Sequence, residues 1–514
     1  MLRGTVLTSA AFCLCLPLGL QAADFSFEQV ITKARERAES SYQPPKEVPR
    51  FLQELSFDDY QGIRFKPENS LWHESDSAFQ VMPVPSGLFY RNPVQVHVID
   101  EQGVEPLTFA KNQFTYPNTE VERLVPADLG YAGFKLTFPL KGEDQQNQFL
   151  VFAGASYYRA VGSENNFGIS GRGLAIDTGM PGGEEFPDFV EFWLERPAPD
   201  ATSMTFYGLL DSPSMTGAYR FVATPGEQTA LAVESVLFPR HDVELLGVAP
   251  LTSMFYYGEN SIRPRGEWRP EVHDSDGLLV HDGGTGEWLW RPLRNPSTLR
   301  MDYFSVQNLR GFGLLQRDTD FRSYQDPEAI YDGRPSSWVE TDGSWGPGKV
   351  VLVQIPTPNE TNDNIVAFWQ PNDPVERGKP LKHRYRVLFG DHSITANPLG
   401  RAHETFVGDG MRVGGGSEEG ALRLIVDFAG GPLDELSEDA AVLGEVEMQN
   451  GGELIEQFVQ YLPALQRWRL SMLVRPAANE ALALSAHLRD AEQTLSETWQ
   501  YEIPAGSDLL AKPE

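Results

Sequence analysis

The chain has 514 residues, of which 72 are Asp or Glu and 42 are Lys or Arg, giving a formal net charge of −30 at pH 7. That length exceeds a single small module, and a field of that sign repels nucleic-acid phosphates and anionic bilayers, so neither is expected as the main partner. With 41% hydrophobic and 11% aromatic residues the chain carries enough apolar side chain for a large core, while 47 Gly and 38 Pro argue against a mainly helical protein.

The first predicted element is the apolar stretch Thr5–Leu20, preceded by Arg3 and followed by Ala22 and Ala23. A basic start, an apolar middle and small residues at a cleavage site define a secretory signal peptide over 1–22. A membrane anchor is the alternative, disfavoured because the stretch is short and ends at a cleavage-like site. Both cysteines, Cys13 and Cys15, lie inside it. Cleavage therefore leaves a chain with no disulfide, thiolate metal ligand or cysteine nucleophile. Arg3 stands alone, so a twin-arginine signal is not indicated, and no later segment approaches the roughly 18 apolar residues of a membrane span. A periplasmic protein without stable membrane insertion is expected.

Next comes a helix. Ser26 and Gln29 have capping-box spacing, and Phe27, Val30, Ile31, Ala34 and Ala38 recur on one helical face. From about Gln61 the period changes to two. Val94–Ile99, Tyr131–Phe138, Phe189–Glu195, Met204–Leu209, Ala218–Val222, Ala230–Leu237, Val350–Ile355, Asn364–Trp369 and His383–Phe389 read as short strands bounded by turn residues. With no helices between them, antiparallel sheets are expected and a parallel sheet is not. The pattern pauses over 391–402, taken as a linker between a large β domain (23–390) and a second domain (403–514). The latter holds strand-like runs at Ala421–Phe428, Val442–Met448, Leu454–Tyr461, Leu465–Val474, Leu482–Leu488 and Thr494–Ile503, which fit an immunoglobulin-like sandwich without its disulfide.

Aromatic and acidic residues concentrate between Leu251 and Trp369, including Tyr257, Trp268, Trp288, Trp290, Tyr331 and Trp338. Sugars have apolar faces and polar edges, so rings flanked by Asp, Glu and Arg are what a carbohydrate site requires. Core filling is the other reading of these rings. Trp288 and Trp290 share one strand face and serve either purpose. Two acidic loops at strand ends stand out, His273-Asp274-Ser275-Asp276-Gly277 and Glu360-Thr361-Asn362-Asp363-Asn364. Each alone reads as a turn, but glycoside hydrolysis needs two carboxyl groups, and paired loops supply them. Candidate substrate contacts are Tyr257, Arg269, Trp288, Trp290, Trp338 and Glu360. Gly168-x-x-Gly171-x-Gly173 lacks the strand–turn–helix setting of a dinucleotide site. The nine histidines show no metal-ligand spacing and there is no G-x-S-x-G elbow, so no metal or cofactor is expected.

Longer motifs are recognisable: Gly171-Arg172-Gly173-Leu174-Ala175-Ile176-Asp177-Thr178, Gly183-Glu184-Glu185-Phe186-Pro187, Leu210-Asp211-Ser212-Pro213, Gly247-Val248-Ala249-Pro250-Leu251-Thr252-Ser253-Met254-Phe255, Arg269-Pro270-Glu271-Val272-His273-Asp274-Ser275 and Glu360-Thr361-Asn362-Asp363-Asn364-Ile365-Val366-Ala367. They resemble the osmoregulated periplasmic glucan biosynthesis family, the G and D proteins, and more the G type because the D type usually carries a twin-arginine leader. The resemblance implies a large galactose-mutarotase-like β-sandwich followed by an immunoglobulin-like domain. It also implies β-1,2-glucan as partner, with inverting endo-β-1,2-glucanase activity in some members. Carried over residue by residue, it implies Asp363 as general acid, Asp274 as general base and Tyr331 as an aid to proton relay. The competing reading is a glucan-binding partner of an inner-membrane glucosyltransferase with little hydrolysis. A mutarotase or polysaccharide lyase on the same fold is a third.

Overall fold

A computed structural model describes residues 25–142, 145–477 and 480–505. The expected signal peptide, 1–22, with Cys13 and Cys15, lies outside the described residues. The architecture is mainly β and sandwich-like, as expected. A ten-stranded and a fourteen-stranded sheet face each other, and a four-stranded sheet lies beyond.

The helix forms over Phe27–Glu39 and buries Val30, Ile31 and Ala34. Its apolar stripe packs on Trp193, Tyr207, Leu209, Ala218 and Val236 of the large sheet. Ser26 takes the extended cap conformation without a side-chain bond to the helix. The fixing contacts come later. Thr216 Oγ1 donates to the carbonyl of Ala34 at 2.7 Å, and buried Asp211 pairs with Arg37 at 2.5 Å and Arg240 at 2.6 Å.

The expected strands are present, several longer than the alternation indicates, such as Met215–Thr224 and Thr229–Pro239. They are mostly antiparallel, as expected, with two parallel pairings inside the fourteen-stranded sheet. Gln95–Asp100 runs parallel to Asp188–Glu195, and Thr498–Ile503 runs parallel to Glu287–Pro292. Both join strands far apart in sequence, where no tight turn dictates direction.

The second pairing carries the fourteen-stranded sheet onward. Leu443–Met448, Leu482–Arg489 and Thr498–Ile503, from the C-terminal part of the chain, extend the sheet that begins in the large β region. Four central strands of that sheet serve two cores. By the two-residue alternation of a strand, Leu278, Val280, Phe312, Leu314, Val339, Val387 and Phe389 face the ten-stranded sheet, while Leu279, Leu315, Trp338 and Leu388 face the other way. There they meet Leu424, Val426, Leu470 and Met472 of the four-stranded sheet. The stretch 391–402 threads along this second core with Ile394, Asn397 and Ala402 buried.

Candidate active site

The two acidic loops lie about ninety residues apart in sequence and are fastened to the same short segment. The backbone amide of Asp274 donates to the carbonyl of Met254 at 2.8 Å, and Ser275 Oγ lies 2.7 Å from Ser253 Oγ. One residue on, the Asn364 side chain accepts from the Phe255 amide at 2.8 Å and donates to the carbonyls of Phe255 and Ile355, each at 3.0 Å. Asn364 thereby fixes the backbone immediately after Asp363. Consecutive residues 254 and 255 therefore hold Asp274 and Asp363 in one place.

The two carboxylates have different surroundings. Asp274 is buried, and Arg334 donates to its Oδ1. Burial pushes its carboxyl above the ordinary range; Arg334 pulls it down, while the negative charge of Asp363 pushes it up further. Asp363 is about one-third exposed at the side chain and accepts from Arg159 Nη2 at 3.4 Å. Arg334 lies over the ring of Tyr331 at 4.4 Å, and burial raises the Tyr331 phenol, so it stays a neutral hydroxyl beside the pair. Of the sequence-predicted catalytic residues, Asp274, Asp363 and Tyr331 are thus brought together.

Glu360 and Arg269 join them at the rim. Glu360, a candidate substrate contact, accepts from Arg269 Nη2 at 2.6 Å. Arg269 also pairs with Glu267 at 2.8 Å and Asp326 at 3.1 Å. Three carboxylates hold this guanidinium in a fixed plane. The Tyr257 hydroxyl donates to the Arg269 carbonyl at 3.0 Å, so Tyr257 supports the rim from beneath. Beside it a cavity of about 900 Å³ opens, bordered by Tyr256, Tyr257, Arg294, Thr357 and Pro358. Trp268, next in the chain to Arg269, is 62% exposed.

Trp288, Trp290 and Trp338 are placed elsewhere. All three, named as candidate substrate contacts, are buried in the second core, so of the two readings left open for Trp288 and Trp290 the structure has core filling. Trp288 stacks on Trp338 at 5.7 Å, and Trp290 lies 3.5 Å beneath the guanidinium of Arg317. The shared strand face is as read; alternation alone does not say which of the two covered faces it is.

Sequence reasoning missed Arg159 and Arg334, whose partners lie 204 and 60 residues away. One local signal was available. A Cβ on Gly168 would lie 2.9 Å from Arg334 Cδ, and one on Gly171 2.3 Å from the Tyr158 ring. That glycine-rich stretch makes room for side chains of the site and its supporting sheet.

Beneath the Asp274 loop lies a second polar cluster. His273 is fully buried, with Nε2 2.9 Å from Glu271 and Nδ1 3.3 Å from Asp276, and it stacks on Phe255 at 5.3 Å. Burial alone would depress its pKa, but Asp276, Glu271 and Asp318 outweigh that and raise it to about 10. Burial together with the charges of Asp276 and Glu271 lifts Asp318 to about 7. No group of His, Cys, Asp and Glu suited to a metal ion occurs among the described residues.

The arrangement offers two carboxyl groups of unlike environment, each with an arginine, at a partly open rim. Comparison with known proteins supplies the context. Residues 25–503 match the family model described as periplasmic glucan biosynthesis protein, MdoG. The chain is 41% identical over 508 residues to glucans biosynthesis protein G of Dickeya dadantii (strain 3937), covering 97% of this chain and 96% of that protein. Likenesses to solved structures are remote. An α-galactosidase from Lactobacillus brevis gives a TM-score of 0.24 at 8% identity, over 50% of this chain and 38% of that one. Protein Slr1438 from Synechocystis sp. PCC 6803 gives 0.15 at 10% identity, over 62% of this chain and 93% of that one. Neither carries weight beside the family match, which runs from the first described helix to the last described strand: the chain belongs to the MdoG family of periplasmic glucan biosynthesis proteins.

Proposed function

We propose that this member of the family acts in the periplasm on the β-1,2-glucan backbone as an inverting endo-hydrolase, with Asp363 as general acid and Asp274 as general base. The observation that carries this reading is the common anchoring of both loops on Met254 and Phe255, which sets one buried and one partly open carboxyl group in each other's field. Asp363 donates its proton to the departing glycosidic oxygen as the bond to the anomeric carbon breaks. A glucan seated over Asp363 excludes water from the reacting bond. A water molecule attacks the opposite face of that carbon and loses a proton to Asp274, directly or through the Tyr331 hydroxyl. A carboxylate lifted by burial is the stronger base, and Arg334 keeps it ionised until that moment. Arg269 and Glu360 present polar groups to sugar hydroxyls, and no cofactor is needed.

The test is incubation of the mature protein with long β-1,2-glucan, following chain length and new reducing ends. Shortening with inverted anomeric product supports the reading. Binding without shortening overturns it in favour of an assembly role, holding glucan delivered by an inner-membrane glucosyltransferase.

A further inference from the structure

We propose that Phe186, Arg172 and Tyr157 form a sugar-stacking subsite on the Asp363 side of the carboxylate pair, an inference that rests on the glucan reading above. Phe186 is 51% exposed, on the turn before the strand Asp188–Glu195. A single exposed ring is ordinary on a protein surface. This one is held in place. Glu184 accepts from Arg172 Nη1 at 2.6 Å and Thr178 Oγ1 at 2.7 Å, and Glu185 accepts from Ser214 Oγ at 2.7 Å and the Ser214 amide at 3.0 Å. The two residues that precede Phe186 are thus both fastened, while its ring faces water.

Arg172 is the second observation. Its side chain is 2% exposed, yet its Nε has no hydrogen-bond partner, an arrangement that is unfavourable unless the guanidinium has other work. The centre of that guanidinium lies 5.2 Å from the Tyr157 ring and 5.7 Å from the Phe186 ring. One cation therefore orients two rings, and rings set in advance lose little freedom on binding a ligand.

Register places this group beside the acid. Tyr157 and Arg172 are cross-strand partners, so they share a face of the ten-stranded sheet. Arg159, two residues beyond Tyr157, shares it too, donating to Ser170 Oγ at 2.7 Å and to Asp363 at 3.4 Å. Along that face the order is Phe186, Arg172 with Tyr157, Arg159, Asp363. A glucan chain passing Asp363 in this direction sets the apolar face of one glucose unit on Phe186, with its hydroxyl edge toward the charged side chains.

Calorimetric titration of the mature protein with β-1,2-glucan tests the subsite. Phe186→Ala should weaken binding about tenfold, and Phe186→Tyr, which keeps the ring, should bind as the wild type does. Equal affinity in Phe186→Ala, or an equal loss in Phe186→Tyr, overturns the stacking role while leaving the reading of the carboxylate pair intact. A wild-type protein that neither binds nor shortens the glucan overturns both.

Discussion

The guanidinium of Arg317 donates to both carboxylate oxygens of Glu497, at 2.5 and 3.1 Å, with both side chains almost wholly buried. Arg317 also donates to the Ala402 carbonyl at 2.5 Å and covers the Trp290 ring, while Glu497 accepts from Asn397 at 2.9 Å and the Ala402 amide at 2.9 Å. The Arg317 backbone amide in turn donates to Asp276, two residues beyond Asp274. The C-terminal part of the chain is thereby tied to the base of the Asp274 loop. Removing one partner of a buried pair leaves the other charge uncompensated. Arg317→Met should lower unfolding free energy in urea by about 3–5 kcal/mol, and Glu497→Gln by a similar amount, whereas the exposed pair Arg50–Glu54 should contribute under about 1 kcal/mol.

Substitutions at the carboxylate pair separate chemistry from binding. Under the proposed mechanism Asp363→Asn keeps shape and removes the proton donor, so cleavage of β-1,2-glucan should fall at least about 10²-fold while binding persists, and Asp274→Asn should have the same effect. Single-turnover assays with parallel affinity measurements check this. Full activity in either variant removes that residue from the mechanism.

Arg334→Ala makes a finer test. Burial and Asp363 raise the Asp274 carboxyl and Arg334 lowers it, so loss of the guanidinium lifts it further. A base is active only when ionised. The acidic limb of the pH–rate profile should therefore move to higher pH in the variant, and an unmoved limb argues that Asp274 is not the titrating base.

The cluster under that loop makes stability depend on pH. Asp318, at about 7 in the fold, binds its proton more tightly there than in the unfolded chain, so the native state holds extra protons between about pH 4 and 7 and stability falls as pH rises through that window. His273, raised to about 10, contributes stability fully present below about pH 6.5 and lost as pH rises through 10. Glu267, held at about 2 chiefly by Arg269, acts oppositely: its contribution is present above about pH 4 and is lost as pH falls toward 2. Asp318→Asn should flatten the decline between pH 4 and 7 in denaturation series and, because the Asp318 charge helps to raise His273, also lessen the decline from pH 7 to 10.

The buried tryptophans give a packing prediction. A Cβ on Gly277 would lie 2.3 Å from Trp290 Cζ2, and one on Gly311 2.3 Å from Trp338 Cζ2. Gly277→Ala and Gly311→Ala should each destabilise by about 1–3 kcal/mol through overpacking, visible as a lowered melting temperature.

What was legible in the sequence follows the physics of each segment. Tyr131–Phe138 has the expected bounds because turn residues flank a strong β run. Leu246–Ser253 was not assigned, since all eight of its residues are buried and it therefore shows no alternation. The acidic loops were legible as loops because Asp, Asn and Gly end strands there. Their arginine partners were not, because pairing across 204 residues leaves no periodic trace. The fate of Trp288 and Trp290 turned on a sheet with a core on each side, where alternation distinguishes two faces but gives neither to solvent.

The parallel pairing of Leu289 with Thr498 has a consequence for the order of folding. The strand that borders Glu287–Pro292 is made some two hundred residues after it, so during synthesis that edge stands open until almost the whole described chain exists. Such a long-range closure slows folding, and an open edge invites pairing with another chain meanwhile. The C-terminal strand thus acts as a late fastener, which ties completion of the large sheet to completion of the polypeptide.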